Sequence, residues 1–155
     1  MSMLWYNPYR VVGVLINSSL REQTKQVNRL EQYIDADRAI LDDYSFPVLG
    51  KLKRTQLALQ DAVNKLSLDN DKMSAALFWF YSSNEITDEP AFDFLKASDS
   101  MSALDIWSKL TVSGIVNDRN HSAFQNLSSL LFFEYLKNPS RNLSYFERAL
   151  KLKVA

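Results

Sequence analysis

The stretch Asn7-Pro8-Tyr9-Arg10-Val11-Val12-Gly13-Val14 decides how the rest of the chain is read. Taken with Leu15 and Ile16, its β-branched residues give it strand propensity. Pro8 and Gly13 argue the other way. Proline suits the first turn of a helix, where its missing N–H has no partner, and glycine suits the left-handed residue just past the end. The pair predicts a short helix over 7–12 closed by Gly13. With that run assigned, strand signals are nearly absent, and the expected fold class is all-α.

Three glycines (13, 50, 114) and four prolines (8, 47, 90, 139) mark element edges, with long helices between them. Ser18 or Ser19 caps a second helix, and Glu22 completes a capping box with Ser19. Leu20, Val27, Leu30 and Ile34 fall on one face of it, with Arg21, Lys25 and Arg29 opposite. Residues 35–46 read as a polar loop ended by Pro47. A third helix is expected over 51–66, with Leu52, Leu59, Val63 and Leu66 on its apolar side. Asp69 or Asn70 caps a fourth helix over 71–82, rich in aromatics. Beyond it, Asp88 starts a helix over 90–97, and Ser100 caps one over 101–112 closed by Gly114. Asn117 or Asp118 caps a longer helix to Lys137, and Asn138-Pro139-Ser140 turns the chain into a last helix over 141–152.

Composition excludes several functions. Of 155 residues, 46% are hydrophobic, enough for a packed core. The 18 basic and 18 acidic residues cancel, whereas a nucleic-acid binder needs surplus Lys and Arg to displace counterions. With no cysteine, thiolate chemistry, disulfides and Cys-ligated zinc are ruled out, and a reducing cytoplasm fits. Met1 to Tyr6 lacks the basic start and apolar run of a signal peptide. The longest apolar run, Ala75 to Tyr81, is far shorter than the roughly 20 residues of a spanning helix. No membrane contact, cofactor or metal is expected.

Three stretches follow one another in order: the opening Asn7–Val14, the polar helix to Leu30-Glu31-Gln32-Tyr33-Ile34, and Asn64-Lys65-Leu66-Ser67-Leu68-Asp69-Asn70-Asp71-Lys72 before the aromatic cluster. Over residues 7–82 they resemble the landmarks of a J domain, the DnaJ-type co-chaperone module. The resemblance implies an antiparallel pair of long helices around a polar loop. It also implies a His-Pro-Asp tripeptide after the second helix, which engages a DnaK-type chaperone and couples to its ATPase. Aligned without gaps, this chain has Asp35-Ala36-Asp37 there. Asp37 matches the family's Asp, Asp35 replaces the imidazole, and Ala36 removes the rigid φ of proline. The family docks through the basic face of that helix, which Arg21, Lys25 and Arg29 retain. The residues expected to meet a partner are therefore Arg21, Lys25, Arg29, Asp35, Ala36 and Asp37, without ATPase stimulation.

Residues 122–152 resemble one tetratricopeptide unit. Ala123-Phe124-Gln125-Asn126-Leu127-Ser128-Ser129-Leu130 fits its first helix and Tyr145-Phe146-Glu147-Arg148-Ala149-Leu150-Lys151-Leu152 its second, with Ala123 and Ala149 at the close approach. Such a unit needs a neighbour, which Leu104, Trp107 and Leu110 can supply. The expected organisation is a J-domain-like module over 1–83 and a tetratricopeptide-like segment over 84–155 packed on it.

Two groups of residues offer a catalytic alternative. His121 beside Asp118 and Asn120 is the single histidine, but no Gly-x-Ser-x-Gly motif accompanies it. Asp35, Asp37, Asp42 and Asp43 cluster, but at no calcium-loop spacing. The aromatics Phe78-Trp79-Phe80-Tyr81 cannot all face one side of a helix, so they are expected to bury against both halves, or to meet another chain. The function expected is non-catalytic protein interaction in the cytoplasm. Its rivals are an atypical co-chaperone docking through the basic face, and a structural subunit of an oligomer.

Overall fold

The computed structural model describes residues 2–155; Met1, where the expected first module begins, lies outside them. The fold is all-α. Among the described residues the elements run α1 (Ser2–Trp5), α2 (Pro8–Val12), α3 (Leu20–Asp35), a 3-10 turn (Pro47–Leu49), α4 (Gln56–Leu66), α5 (Asp69–Ala76), α6 (Glu85–Lys96), α7 (Ser100–Leu110), α8 (His121–Lys137) and α9 (Leu143–Lys153).

The opening stretch is the short helix its punctuation predicts. The Asn7 side chain accepts from the Tyr9 N–H, Pro8 fills the first position, and Gly13 closes α2 at φ 81. The Asn7 amide also donates to the Ala75 carbonyl at 2.8 Å, tying this turn to the end of α5. The Ser19–Glu22 capping box at the start of α3 is complete. Leu30 is buried while Val27 and Ile34 pack at the edge of the core, but Leu20 stays 78% exposed, because the first turn of α3 projects beyond its neighbours.

Two expected helices are shorter. Residues 51–55 are not helical; α4 starts at Gln56 behind Thr55, whose hydroxyl accepts from the Ala58 N–H. The Arg54 side chain reaches back to the carbonyls of Val11 (2.8 Å) and Arg10 (3.2 Å), which satisfies the end of α2. α5 ends at Ala76, and Phe78 to Tyr81 run on as irregular backbone. That backbone is buried, so its polar groups need partners, and polar side chains of α8 provide them. Gln125 donates to the carbonyls of Ala76 and Trp79, and Ser129 donates to Trp79 O at 2.8 Å. Asn126 accepts from Tyr81 N–H at 3.0 Å and donates to Tyr81 O at 2.9 Å.

Released from a helix, the aromatics point in several directions. Trp79 and Phe80 are fully buried. Phe80 stacks on Trp107 of α7 (ring centroids 5.9 Å) and meets Phe46 edge-on, while Phe46 stacks on Phe92 of α6 (5.9 Å). One hydrophobic core therefore joins residues from both expected segments. Phe46 reaches that core at φ 47, a left-handed conformation costly for a bulky residue.

The second half departs from expectation mainly at its boundaries. α6 starts at Glu85, upstream of Asp88, and keeps Pro90 inside it. Asp99 rather than Ser100 caps α7, accepting from the Ser102 N–H. α8 begins at His121, after a turn in which Asn117 O accepts from His121 N–H. α9 runs antiparallel to α8: Asn142 donates to Glu134 O, Phe146 packs on Phe132, and Ser128 donates to Ala149 O at 3.0 Å. Ala123 and Ala149 are buried, and Trp107 of α7 is fully enclosed beside α8.

Candidate functional site

Asp35, Ala36 and Asp37 form the C-terminal cap of α3. The Ala36 N–H donates to Gln32 O at 3.1 Å, a helical bond. The Asp37 N–H donates to Ile34 O and the Arg38 N–H to Tyr33 O, with Asp37 left-handed at φ 54. This is the hydrogen-bond pattern of a Schellman stop, with an aspartate where glycine is usual. The Asp35 carboxylate accepts from Gln56 at 2.8 Å, joining the end of α3 to the start of α4.

The four aspartates of this region have separate tasks. Asp42 pairs with Arg29 at 3.0 Å. Asp43 is buried; it pairs with Arg54 at 2.8 Å and also accepts from Gln26 and from the N–H and hydroxyl of Ser45. Among the described residues no group of three or more His, Asp or Glu side chains converges as a metal site.

The basic residues of α3 differ in their surroundings: Arg21 and Lys25 share a shallow surface hollow with Leu20, Thr24 and Asn28. Arg21 and Lys25 are exposed and make no ion pair among the described residues. Arg29 is held by Asp42 and lies 5.5 Å from the Tyr33 ring centroid. Lys25 and Arg29 line a cleft of about 580 Å³ together with Glu22, Asp42, Glu85 and Glu89. Carboxylates outnumber cations there, and mixed charges this close cancel at a distance.

The positive field lies on the other side of the α3 terminus. A cleft of about 810 Å³ opens between the end of α3 and residues 38–56. Arg10, Arg38, Lys51, Lys53 and Arg54 line it, against the single carboxylate of Asp37. Leu30, Tyr33, Ile34, Ile40 and Leu52 give it an apolar floor. Arg38, Lys51 and Lys53 are exposed and make no ion pair among the described residues. Arg10 is fully buried and donates only to carbonyls: Ser45 (2.8 Å), Trp5 (3.1 Å), Phe46 (3.3 Å) and Gly50 (2.6 Å). Burial, then repulsion from Arg54, lowers its guanidinium to about 10. The sequence places Lys51 and Lys53 inside an expected helix and Arg38 in a polar loop, so nothing marks them as one surface. Three basic residues in four, Lys51-Leu52-Lys53-Arg54, are the one local signal pointing there.

His121 has partners other than its sequence neighbours. Tyr81 OH bonds its Nδ1 and Ser83 Oγ bonds its Nε2 at 2.9 Å. A hydroxyl held by an imidazole held in turn by a third group has the order of a nucleophile–base pair. Acyl transfer also needs N–H groups free to hold an oxyanion. Here the N–H groups of Ser83 and Asn84 both donate to Asp88 Oδ2, at 3.1 and 3.0 Å. The cluster joins the start of α6 to the start of α8. No protein-family model matches this chain, and neither does any curated protein or any solved structure.

Proposed function

We propose that this chain is a non-catalytic protein-interaction module of the cytoplasm, J-domain-like in its helical frame, that does not stimulate a DnaK-type ATPase. The observation that carries the proposal is the role of residues 35–37. The family's loop is shaped by its proline, whereas Asp35-Ala36-Asp37, though exposed, closes α3 through the Ala36, Asp37 and Arg38 N–H groups. Docking through the basic face of α3 is weakened by the same geometry, because Arg29 is taken up by Asp42 and Lys25 lies among carboxylates. Single-turnover ATP hydrolysis by a DnaK-type chaperone should be unchanged when this protein is added. A clear rise, abolished by reversing the charges of Arg21, Lys25 and Arg29, would overturn the proposal in favour of an active co-chaperone.

One observation favours a second reading, a subunit of an oligomer. Leu57, Leu68, Met73 and Leu77 on α4, α5 and the turns beside them are more than half exposed. Light scattering reads this directly, since a monomer mass across micromolar concentrations excludes it.

A further inference from the structure

We propose that the cleft between the end of α3 and residues 38–56 binds an acidic, extended peptide segment of a partner protein. This rests on the reading of the chain as an interaction module and names the partner's chemistry.

Three observations lead there. The first is charge. The whole chain is neutral, yet the cleft gathers Arg10, Arg38, Lys51, Lys53 and Arg54 around one carboxylate, Asp37. Asp43 neutralises Arg54, but Arg10 has only carbonyl partners, so its charge persists within a low-dielectric wall that strengthens its field in the cleft. The three rim cations spend no charge on the protein itself.

The second is backbone. Among the described residues, the N–H and C=O groups of 39–42 and 51–54 make no hydrogen bond within the protein. Residues 51–54 belong to no helix or turn; they run from Gly50, whose φ of 145 is open to glycine alone, to Thr55, which is extended (φ −125, ψ 164). Such an edge pairs with an added strand, main chain to main chain. Four residues of edge span about 13 Å, enough for a short segment.

The third is the floor. Tyr33, Ile34 and Leu52 are half-buried and offer apolar contact beneath the cationic rim. An added strand turns alternate side chains to opposite sides, so a segment alternating acidic and apolar residues satisfies rim and floor together. A free anion would leave both the floor and the edge unused, and nucleic acid has no peptide main chain to pair with the edge.

The probe is a fluorescein-labelled peptide of alternating Glu and Val, with a Lys–Val peptide as control, read by fluorescence polarisation with no chaperone present. The Glu–Val peptide should bind and the control should not. Amide NMR signals of 39–41 and 51–54 should shift on binding. The variant Arg38→Glu/Lys51→Glu/Lys53→Glu should weaken binding by about tenfold or more, since charge complementarity carries recognition here. These side chains are exposed and make no hydrogen bonds among the described residues, so the variant should keep the circular dichroism and melting curve of the parent. Absence of Glu–Val binding, equal binding by the control, binding that survives charge reversal, or shifts confined to the Arg21–Lys25 face would overturn the proposal. So would displacement of the peptide by inorganic phosphate at comparable ionic strength, or tighter binding of a DNA duplex. ATPase stimulation is scored separately, so either idea can fail while the other stands.

Discussion

Arg54 Nη2 lies 2.8 Å from Asp43 Oδ2, and both side chains are almost shielded from water. Arg54 also holds the carbonyls of Val11 and Arg10, while Asp43 holds Ser45 and Gln26. The pair thus fastens α2, α3 and the loop before the 3-10 turn. Gly13 lies against it, with no room for a Cβ beside the Asp43 carboxylate. Breaking such a pair from one side strands a buried charge, so Asp43→Ala or Arg54→Ala should each cost about 3–5 kcal/mol. Urea unfolding of both single variants and of the double variant tests this, because the double should cost clearly less than the sum. Strict additivity would mean that the two side chains act independently.

The cap at 35–37 predicts what a restored tripeptide would do. Proline at 36 removes the N–H that bonds Gln32 O and sets its ring against that carbonyl. Ala36→Pro should therefore cost about 1–3 kcal/mol, less than the same change deep in a helix because only the last turn is lost. Asp37→Gly should be neutral or stabilising by up to about 1 kcal/mol, since glycine tolerates the left-handed position. Thermal melts of the two variants should move in opposite directions or differ by several degrees. An Ala36→Pro protein as stable as the parent would show that α3 can end one turn earlier, leaving the tripeptide free to form a loop.

Asp88 is fully buried and has five hydrogen-bond donors around it: the N–H groups of Ser83 and Asn84, Ser122 Oγ (2.7 Å), Trp107 Nε1 (2.9 Å) and Asn126 Nδ2 (3.4 Å). It joins α6, α7 and α8 without any cation. An amide in its place must turn an NH2 group towards donors, so Asp88→Asn should cost about 2–4 kcal/mol despite its matching shape. Trp107 reports the change, and its emission should shift to the blue as its indole N–H loses a charged acceptor. If Asp88→Asn keeps both stability and emission, Asp88 is not the hub of this junction.

Tyr9 offers the opposite sign. Its hydroxyl is the one buried side-chain polar atom lacking a partner among the described residues, and burial pushes its pKa up. Tyr9→Phe removes an unsatisfied group without changing shape, so stability should rise by about 1 kcal/mol. A loss of that size in urea unfolding would reveal a partner for the hydroxyl.

Local rules in the sequence were enough for α2 and for the capping box of α3, because a helix start is written within four residues. They also marked the turn at Asn138-Pro139-Ser140 between α8 and α9. They failed where a distant side chain decides the backbone. Phe78 to Tyr81 carry helix-compatible residues, but Gln125 and Ser129 take the Trp79 carbonyl and Asn126 the Tyr81 carbonyl, holding the run out of a helix. Those polar residues within an otherwise buried α8 were the available signal, and they need a partner that only the fold reveals. Residues 51–55 failed similarly, since Arg54 is occupied with α2. The cationic cleft was hidden because its charges come from a helix end and two loop segments with no common period. Of the basic residues of α3, which do share a helical face, Arg29 is taken up by Asp42 of the loop that follows, while Arg21 and Lys25 stay exposed.

Lys153 gives the fold a pH dependence. Its Nζ lies 3.3 Å from Gln125 Oε1 and 5.5 Å from the Phe78 ring centroid, and burial lowers its pKa from 10.5 to about 8. At pH 7 both the folded and the unfolded chain carry the proton, so folding must bury a charge. Between pH 8 and 10.5 the unfolded chain keeps a proton that the folded protein has released. The unfolded state then binds more protons, so the Lys153 contribution to stability rises with pH across that window. Tyr9, Tyr44 and Tyr81, all raised by burial, act oppositely once unfolded tyrosine ionises near 10, which makes the variant-minus-parent difference the quantity to follow. Lys153→Met has no such proton to lose. Its stability relative to the parent should be highest at pH 7 and should fall as pH rises through 8 towards 9.5, at constant ionic strength. A difference that stays flat over that range would mean that Lys153 reaches water and keeps its ordinary basicity.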